Sequence, residues 1–174
     1  AKKAIAGMPE KFVALNIGPC GKLLAPIGDL PFEVAVENFG LMARYGEEAG
    51  ADLILIETMS DTYELKACIL ACKENTNLPI CVTMTFDQSG KLLTGGSVET
   101  ASIMCEALGA DAIGFNCGLG PEQVGNLLDQ MVNATNLPII VNPNAGLPVE
   151  RDGKTCYDVG PEEFADLMYK LADR

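Results

Sequence analysis

Two pairs of polar residues that directly follow short apolar runs are the best suited to chemistry. Glu57 and Thr58 follow one run, and Asn116 and Cys117 follow another. A carboxylate in such a place can bind an ammonium group or act as an acid or base, or it can be a solvated loop residue. A thiol can be a nucleophile or a metal ligand, or simply a small buried side chain. Since the chain has no histidine, Ser–His and Cys–His couples are excluded, and a metal would need sulfur or oxygen ligands.

Other residues give weaker indications of a site. Cys68 and Cys72 lie four positions apart on an apolar helix face, so we predict that they belong to the core. Cys20 follows the first apolar run and is expected at the same end of the fold as Cys117. Asn144 lies in a segment rich in Asn, Pro and Gly, which could bind a polar substrate or organise a turn.

Five aliphatic runs bounded by Gly, Pro, Asp or Asn predict five buried strands. They are Phe12–Ile17, Leu53–Ile56, Ile80–Thr85, Ala112–Phe115 and Ile139–Val141. Amphipathic segments between them, such as Phe32–Ala49, predict helices. Strands that alternate with helices predict an α/β fold with a parallel sheet. Units of roughly 30 residues number about five, so we predict part of a (β/α)₈ barrel.

Proline, glycine and turn residues mark the boundaries of these elements. Prolines in the first turn predict three helix starts, and glycines predict two helix ends. The prolines are Pro31, Pro121 and Pro161, and the glycines are Gly50 and Gly109. Residues 85–96 and 142–158 are rich in Gly, Asn, Asp and Pro and predict loops after strands. Both loops are expected at the carboxyl ends of the strands, which we call the mouth.

An internal repeat relates the two polar pairs to each other. The segment Gly50–Ile54 recurs as Gly109–Ile113, and a second segment recurs at the same spacing. That second pair is Thr76–Ile80 and Thr135–Ile139. Two equal spacings indicate a duplicated two-unit module, which suits a barrel. The repeat aligns Glu57 with Asn116 and Thr58 with Cys117, so the copies differ where barrel enzymes carry their active sites.

Composition excludes several classes of function. A hydrophobic content of 48% predicts a core-forming domain, and we expect residues 1–174 to form a single one. A net charge of −12 disfavours nucleic acid as a partner. No apolar run is long enough to span a membrane. The seven cysteines lack the spacing of a disulfide framework, and we expect a cytoplasmic protein with reduced thiols.

Four segments, in order along the chain, resemble the homocysteine S-methyltransferase family. They are Asn16–Leu24, Leu55–Met59, Gly114–Pro121 and Pro143–Pro148. The similarity is greatest to the homocysteine-binding barrel of cobalamin-dependent methionine synthases. It implies that the chain is an incomplete segment of that barrel, about five βα units that resemble strands three to seven.

The resemblance also implies a chemistry. In this family three cysteine thiolates hold zinc, and the sulfur of homocysteine completes the shell before it accepts a methyl group to form methionine. Cys117 matches the first metal ligand, Glu57 the residue that holds the amino group, and Thr58, Asn116 and Asn144 residues that line the substrate site. No catalytic residue is expected beyond the metal site. The methyl donor is expected to be methylcobalamin on another domain of the intact protein, although betaine or another donor is an alternative.

Departures from the family pattern leave other functions open. The first-strand Asp-Gly-Ala segment and the Cys-Cys pair after strand eight have no counterpart, so two of three zinc ligands are absent. We therefore expect the segment to be inactive alone and its exposed barrel edges to favour a homo-oligomer. One alternative is a non-catalytic structural or substrate-binding segment. A weaker one is an unrelated barrel lyase or aldolase, for which no strand-end lysine is found.

Overall fold

The computed structural model describes residues 1–174, and its strands and helices alternate over most of that length. Five strands form one sheet in the order β1-β2-β3-β4-β5, and each neighbouring pair is parallel. The elements of this part are β1 (Ala14–Ile17), α1 (Phe32–Glu48), β2 (Leu53–Met59), α2 (Thr62–Asn75), β3 (Ile80–Met84), α3 (Val98–Ala107), β4 (Ala112–Asn116), α4 (Gly125–Ala134) and β5 (Ile139–Asn142). The predicted strands and parallel sheet are confirmed.

Alternate residues of the strands point to opposite faces of the sheet. On β2, Ile54 and Ile56 are fully buried, whereas Leu53, Leu55 and Glu57 are half-buried on the other face. Right-handed crossovers between sequential parallel strands place the helices on one face, and neighbouring helices contact each other there. The other face corresponds to the inside of a barrel. The chain thus forms about five consecutive units of a (β/α)₈ barrel.

The repeat corresponds to a contact at the start of two strands. The backbone N–H of Asp52 donates to the carbonyl of Val13 at 2.8 Å, and its carboxylate accepts from the N–H of Val13 at 2.7 Å. Asp111 makes the same pair of bonds to Ile80, both at 2.8 Å. Lys2 also binds Asp52, and this hydrogen bond, with that of Val13, lowers the pKa of the carboxyl. The repeated aspartate therefore clamps each even-numbered strand to the strand before it.

Most predicted helix boundaries are confirmed. Gly50 and Gly109 follow the last turns of α1 and α3 with φ of 87° and 84°, values that favour glycine. Pro31 directly precedes α1, and Pro161 is the first residue of α5 (Pro161–Ala172). The prediction for Pro121 was wrong, because turns separate it from α4.

The segment 142–158 was predicted to be a loop and contains a hairpin instead. Strands β6 (Pro148–Arg151) and β7 (Lys154–Tyr157) pair in antiparallel fashion. Asp152 and Gly153 connect them with φ of 52° and 70°, as a two-residue hairpin turn requires. The Asp-Gly dipeptide was the signal for this turn, and the composition of the surrounding segment concealed it.

Buried cysteines contribute to the core between sheet and helices. Cys68, Cys72 and Cys105 are fully buried, which confirms the prediction for the first two. Burial raises the pKa of Cys105 to about 12, so this thiol is unreactive. All seven cysteines are free. Separately, none of the helices combines the length and the apolar character that crossing a membrane requires.

The aspartate clamp predicts a loss of stability when it is removed. We expect Asp111→Ala to lower the free energy of unfolding by about 1 kcal/mol, because the N–H of Ile80 loses a charged acceptor. Chemical denaturation followed by circular dichroism measures the change. Glu122→Ala, which alters an exposed acidic residue outside the helices, is the matched control. Equal stability of the two variants would contradict the role assigned to the clamp.

Candidate functional site

The structure brings the ends of β2 and β4 together at the mouth. The side-chain oxygen of Asn116 accepts a hydrogen bond from the backbone N–H of Thr58 at 3.0 Å. Its side-chain nitrogen donates to Oγ1 of Thr58 at 2.7 Å and to Sγ of Cys117 at 3.2 Å. Because β3 lies between β2 and β4, these bonds reach across a whole strand. Three of the five residues that the sequence indicated are therefore in direct contact.

Two of these residues have an unusual backbone conformation. Thr58 has φ of 61° and Cys117 has φ of 57°, in the left-handed region that non-glycine residues seldom adopt. Threonine is especially unfavourable there because it is β-branched. Such a conformation costs about 1 kcal/mol or more for each residue, and it is often found at functional sites. The two residues are equivalent positions of the repeat, so both copies have this feature at the mouth.

Cys117 is exposed although the strand before it is buried. Its backbone N–H donates to the carbonyl of Asn142 at the end of β5, at 3.2 Å. Gly118 follows with φ of 67°, which turns the chain directly after the cysteine. The thiol therefore stands at the surface of the mouth on a backbone fixed by the neighbouring strand.

The loops after β4 and β5 are held against each other. The N–H of Asn144 donates to the carbonyl of Leu119 at 2.9 Å. Gly120 and Gly146 are in close contact, since a Cβ atom on Gly120 would lie 2.8 Å from the Cα of Gly146. Asn144 is half-buried in this arrangement. Its loop is thus attached to the loop that carries Cys117.

Glu57 lies on the barrel-interior face of β2 and directly precedes Thr58. Its side chain is half-buried, and the salt bridges of the chain all involve other carboxylates. A partly desolvated carboxylate without an internal cation attracts a positively charged group of a ligand. Glu57 is therefore free to bind an ammonium.

Cys20 differs from Cys117 in its surroundings. Its Sγ lies 3.4 Å from the carbonyl oxygen of Lys22, within its own turn. Partial burial, and after it the carboxylate of Glu64, raise the pKa of the Cys20 thiol.

Glu64 anchors the loop after β1, a role that sequence analysis missed. The residue is only 4% exposed, and its carboxylate accepts from the backbone N–H of Cys20 at 2.6 Å. Asp61 caps the start of α2 by accepting from the N–H groups of Tyr63 and Glu64. An Asp-x-x-Glu spacing is typical of a helix start. It could not indicate that the glutamate reaches a different loop.

The residues of this chain do not by themselves fit a zinc ion. No group of three His, Cys, Asp or Glu side chains is close enough to hold a metal. Protein zinc sites use three or four such ligands. The exposed thiol of Cys117 alone is too few ligands for such a site.

Comparisons with curated proteins identify relatives of the whole chain. The chain is 30% identical over 164 residues to the methionine synthase of Mycobacterium leprae, covering 91% of this chain and 14% of that protein. It is 31% identical over 169 residues to the methionine synthase of Mycobacterium tuberculosis, covering 93% of this chain and 14% of that protein. The chain thus spans about one seventh of the length of these relatives.

Comparisons with solved structures and with family models address fold and family. The apo form of the homocysteine methyltransferase MmuM from Escherichia coli aligns with a TM-score of 0.68 at 22% identity, over 82% of this chain and 53% of that one. This likeness supports the fold, a partial barrel. The model of the family described as homocysteine S-methyltransferase matches residues 1–174. The chain belongs to the homocysteine S-methyltransferase family.

Proposed function

We propose that this chain is the homocysteine-binding part of an enzyme that transfers a methyl group to the thiolate of homocysteine and forms methionine. The observation that carries the proposal is the junction at the mouth, where Asn116 joins Thr58 to the exposed Cys117. Family membership of residues 1–174 supports the same activity. Methylcobalamin on another domain of the intact protein is the proposed donor.

Glu57 gives this site its preference for an amino acid. Its half-buried carboxylate would bind the ammonium of homocysteine through charge-assisted hydrogen bonds. Thr58 and Asn144 would line the substrate from the ends of β2 and β5. The substrate's sulfur would then lie toward Cys117, which is exposed at the end of β4.

The transfer itself exchanges one bond for another. The thiol of homocysteine loses its proton to water, and the sulfur's electron pair forms a bond to the methyl carbon. The bond between that carbon and the donor breaks, and its electron pair stays on the donor. A bound zinc ion would stabilise the substrate thiolate at neutral pH. In the proposal Cys117 is one zinc ligand, and the remaining thiolates come from outside residues 1–174.

Residues 1–174 are proposed to act as one incomplete barrel segment, inactive alone, in a cytoplasmic protein. The chain spans 14% of the methionine synthases it matches, which is consistent with a separate donor domain. A second function, a non-catalytic substrate-binding segment, is favoured by the lack of a complete metal-ligand set. Methyl transfer by the intact protein, with and without Cys117→Ser, distinguishes the two.

We predict that Glu57→Gln weakens binding of L-homocysteine more than tenfold. Neutralising the carboxylate removes a charge-assisted hydrogen bond, which contributes about 1.5–3 kcal/mol, and each 1.4 kcal/mol corresponds to about a tenfold change in affinity. Isothermal titration calorimetry with the reduced intact protein measures the effect. The analogue 4-mercaptobutyrate, which lacks the amino group, should bind both forms equally.

Glu74→Gln is the matched control for this experiment, because Glu74 is an exposed glutamate of the neighbouring helix α2. Its affinity for homocysteine should equal that of the wild type. If Glu57→Gln binds homocysteine as tightly as this control does, the amino group is not held by Glu57.

We also predict that the 174-residue chain associates in solution. Strands β1 and β5 each leave one edge unpaired, and Leu53 and Leu55 are half-exposed on the face that corresponds to the barrel interior. Unpaired parallel edges with apolar neighbours favour contact with another chain. Light scattering at rising concentration should give a mass above 18.4 kDa. A monodisperse monomer at all concentrations is the contrary outcome.

A further inference from the structure

Asn116 is buried to an extent that does not suit a residue open to substrate. It is only 4% exposed, and both ends of its carboxamide are engaged within the protein. The sequence indicated a residue that lines the substrate site, and the structure suggests a different way for it to act. Its carboxamide contacts Thr58 and Cys117, both of which have left-handed backbone.

The orientation of the carboxamide follows from one backbone group. The N–H of Thr58 can only donate, so the atom that faces it at 3.0 Å must be the oxygen of Asn116. The nitrogen is then directed to the other side. Its two hydrogens meet Oγ1 of Thr58 at 2.7 Å and Sγ of Cys117 at 3.2 Å. The sulfur of Cys117 is therefore an acceptor in this network.

We propose that Asn116 is a positioning residue that sets the distance between the carboxylate at the end of β2 and the sulfur at the end of β4. The inference rests on the proposed function for the roles of Glu57 and Cys117. Glu57 directly precedes Thr58, so fixing the backbone of Thr58 also fixes the base of the Glu57 side chain. The same carboxamide holds the Cys117 sulfur in one direction. A single group thus matches the site to a ligand with an ammonium at one end and a sulfur at the other.

The chemistry of the contacts requires an amide at this position. Aspartate would keep an acceptor for the N–H of Thr58 but would lose both hydrogens that Oγ1 and Sγ receive. Leucine has a similar size and would leave that N–H without its acceptor. The buried position and the contacts with Thr58 and Cys117 leave little room for a longer side chain.

The side-chain amide signals of Asn116 in a ¹H–¹⁵N NMR spectrum test the geometry in the 174-residue chain. Removing the sulfur with Cys117→Ala should shift one of the two amide protons, and removing the hydroxyl with Thr58→Val should shift the other. Thr58→Ser keeps the hydroxyl and should restore the wild-type signals. If the amide protons exchange rapidly with solvent and neither substitution shifts their signals, the proposed network is wrong.

Alkylation with iodoacetamide tests whether the network positions the sulfur. Mass spectrometry gives the rate at Cys117 relative to Cys20, the other exposed thiol of the same molecule. Asn116→Leu should lower this ratio by about threefold, because the released sulfur samples three staggered rotamers. Thr58→Val removes one of the three hydrogen bonds of the Asn116 carboxamide, so it should lower the alkylation ratio by a smaller factor. Thr58→Ser keeps the hydroxyl and should give the wild-type ratio. A ratio that stays constant or rises in folded Asn116→Leu would refute the positioning role.

These measurements need neither homocysteine nor a metal or methyl donor. If the amide signals and the alkylation ratio do not change as expected, the positioning role of Asn116 is wrong, but the proposed methyl transfer is not affected. The converse outcome is also possible to recognise. If the amide and alkylation results are as expected but Glu57→Gln leaves homocysteine binding unchanged, the hydrogen-bond network is supported and the proposed substrate site is not.

Discussion

Hydrogen bonds from the Asn116 carboxamide to Thr58 join the ends of two strands that a third strand separates. Since neighbouring strands lie about 4.8 Å apart, such bonds require a sheet that curves and brings the carboxyl ends of its strands toward a common mouth, as in a barrel. The arrangement of Glu57 and Cys117 depends on that curvature. In a flat sheet with the same strand order, Glu57 and Cys117 would be separated by the full width of β3.

The same two strands are fixed at their opposite ends by the repeated aspartates. Asp52 and Asp111 hold the starts of β2 and β4 to the strands before them. Thr58 and Cys117, at equivalent repeat positions, adopt left-handed backbone near the other end of these strands. Each copy of the module thus combines a stable strand start with a strained strand end. The aspartate at the start is the same in both copies, and the chemistry of the end differs, with a carboxylate in one and a thiol in the other.

Several features of the fold were predictable because they depend on local patterns. The alternation of Leu53, Ile54, Leu55 and Ile56 puts Glu57 on the same face as Leu53 and Leu55, since strand side chains alternate with a period of two. The hairpin β6–β7 was missed because the composition of residues 142–158 concealed its Asp-Gly turn.

Contacts between distant elements were not predictable in the same way. The bond from Asn116 to Thr58 depends on the registers of two successive strand pairs. The contact of Glu64 with the loop after β1 depends on where α2 packs. Sequence motifs indicated Asn116 and Cys117 as candidate site residues. They could not show that Asn116 has its carboxamide occupied by its neighbours.

In the proposed enzyme, Cys117 and the sulfur of homocysteine bind the same metal ion. The decisive measurement is isothermal titration of zinc into the reduced 174-residue chain, with and without L-homocysteine, and the same titration of Cys117→Ser. We expect weak zinc binding, since one thiolate is too few for a tight site, with an affinity that rises when homocysteine is present and is lost in Cys117→Ser. Zinc binding that is unaffected by homocysteine or by the loss of Cys117 would show that the two sulfurs do not share a metal ion.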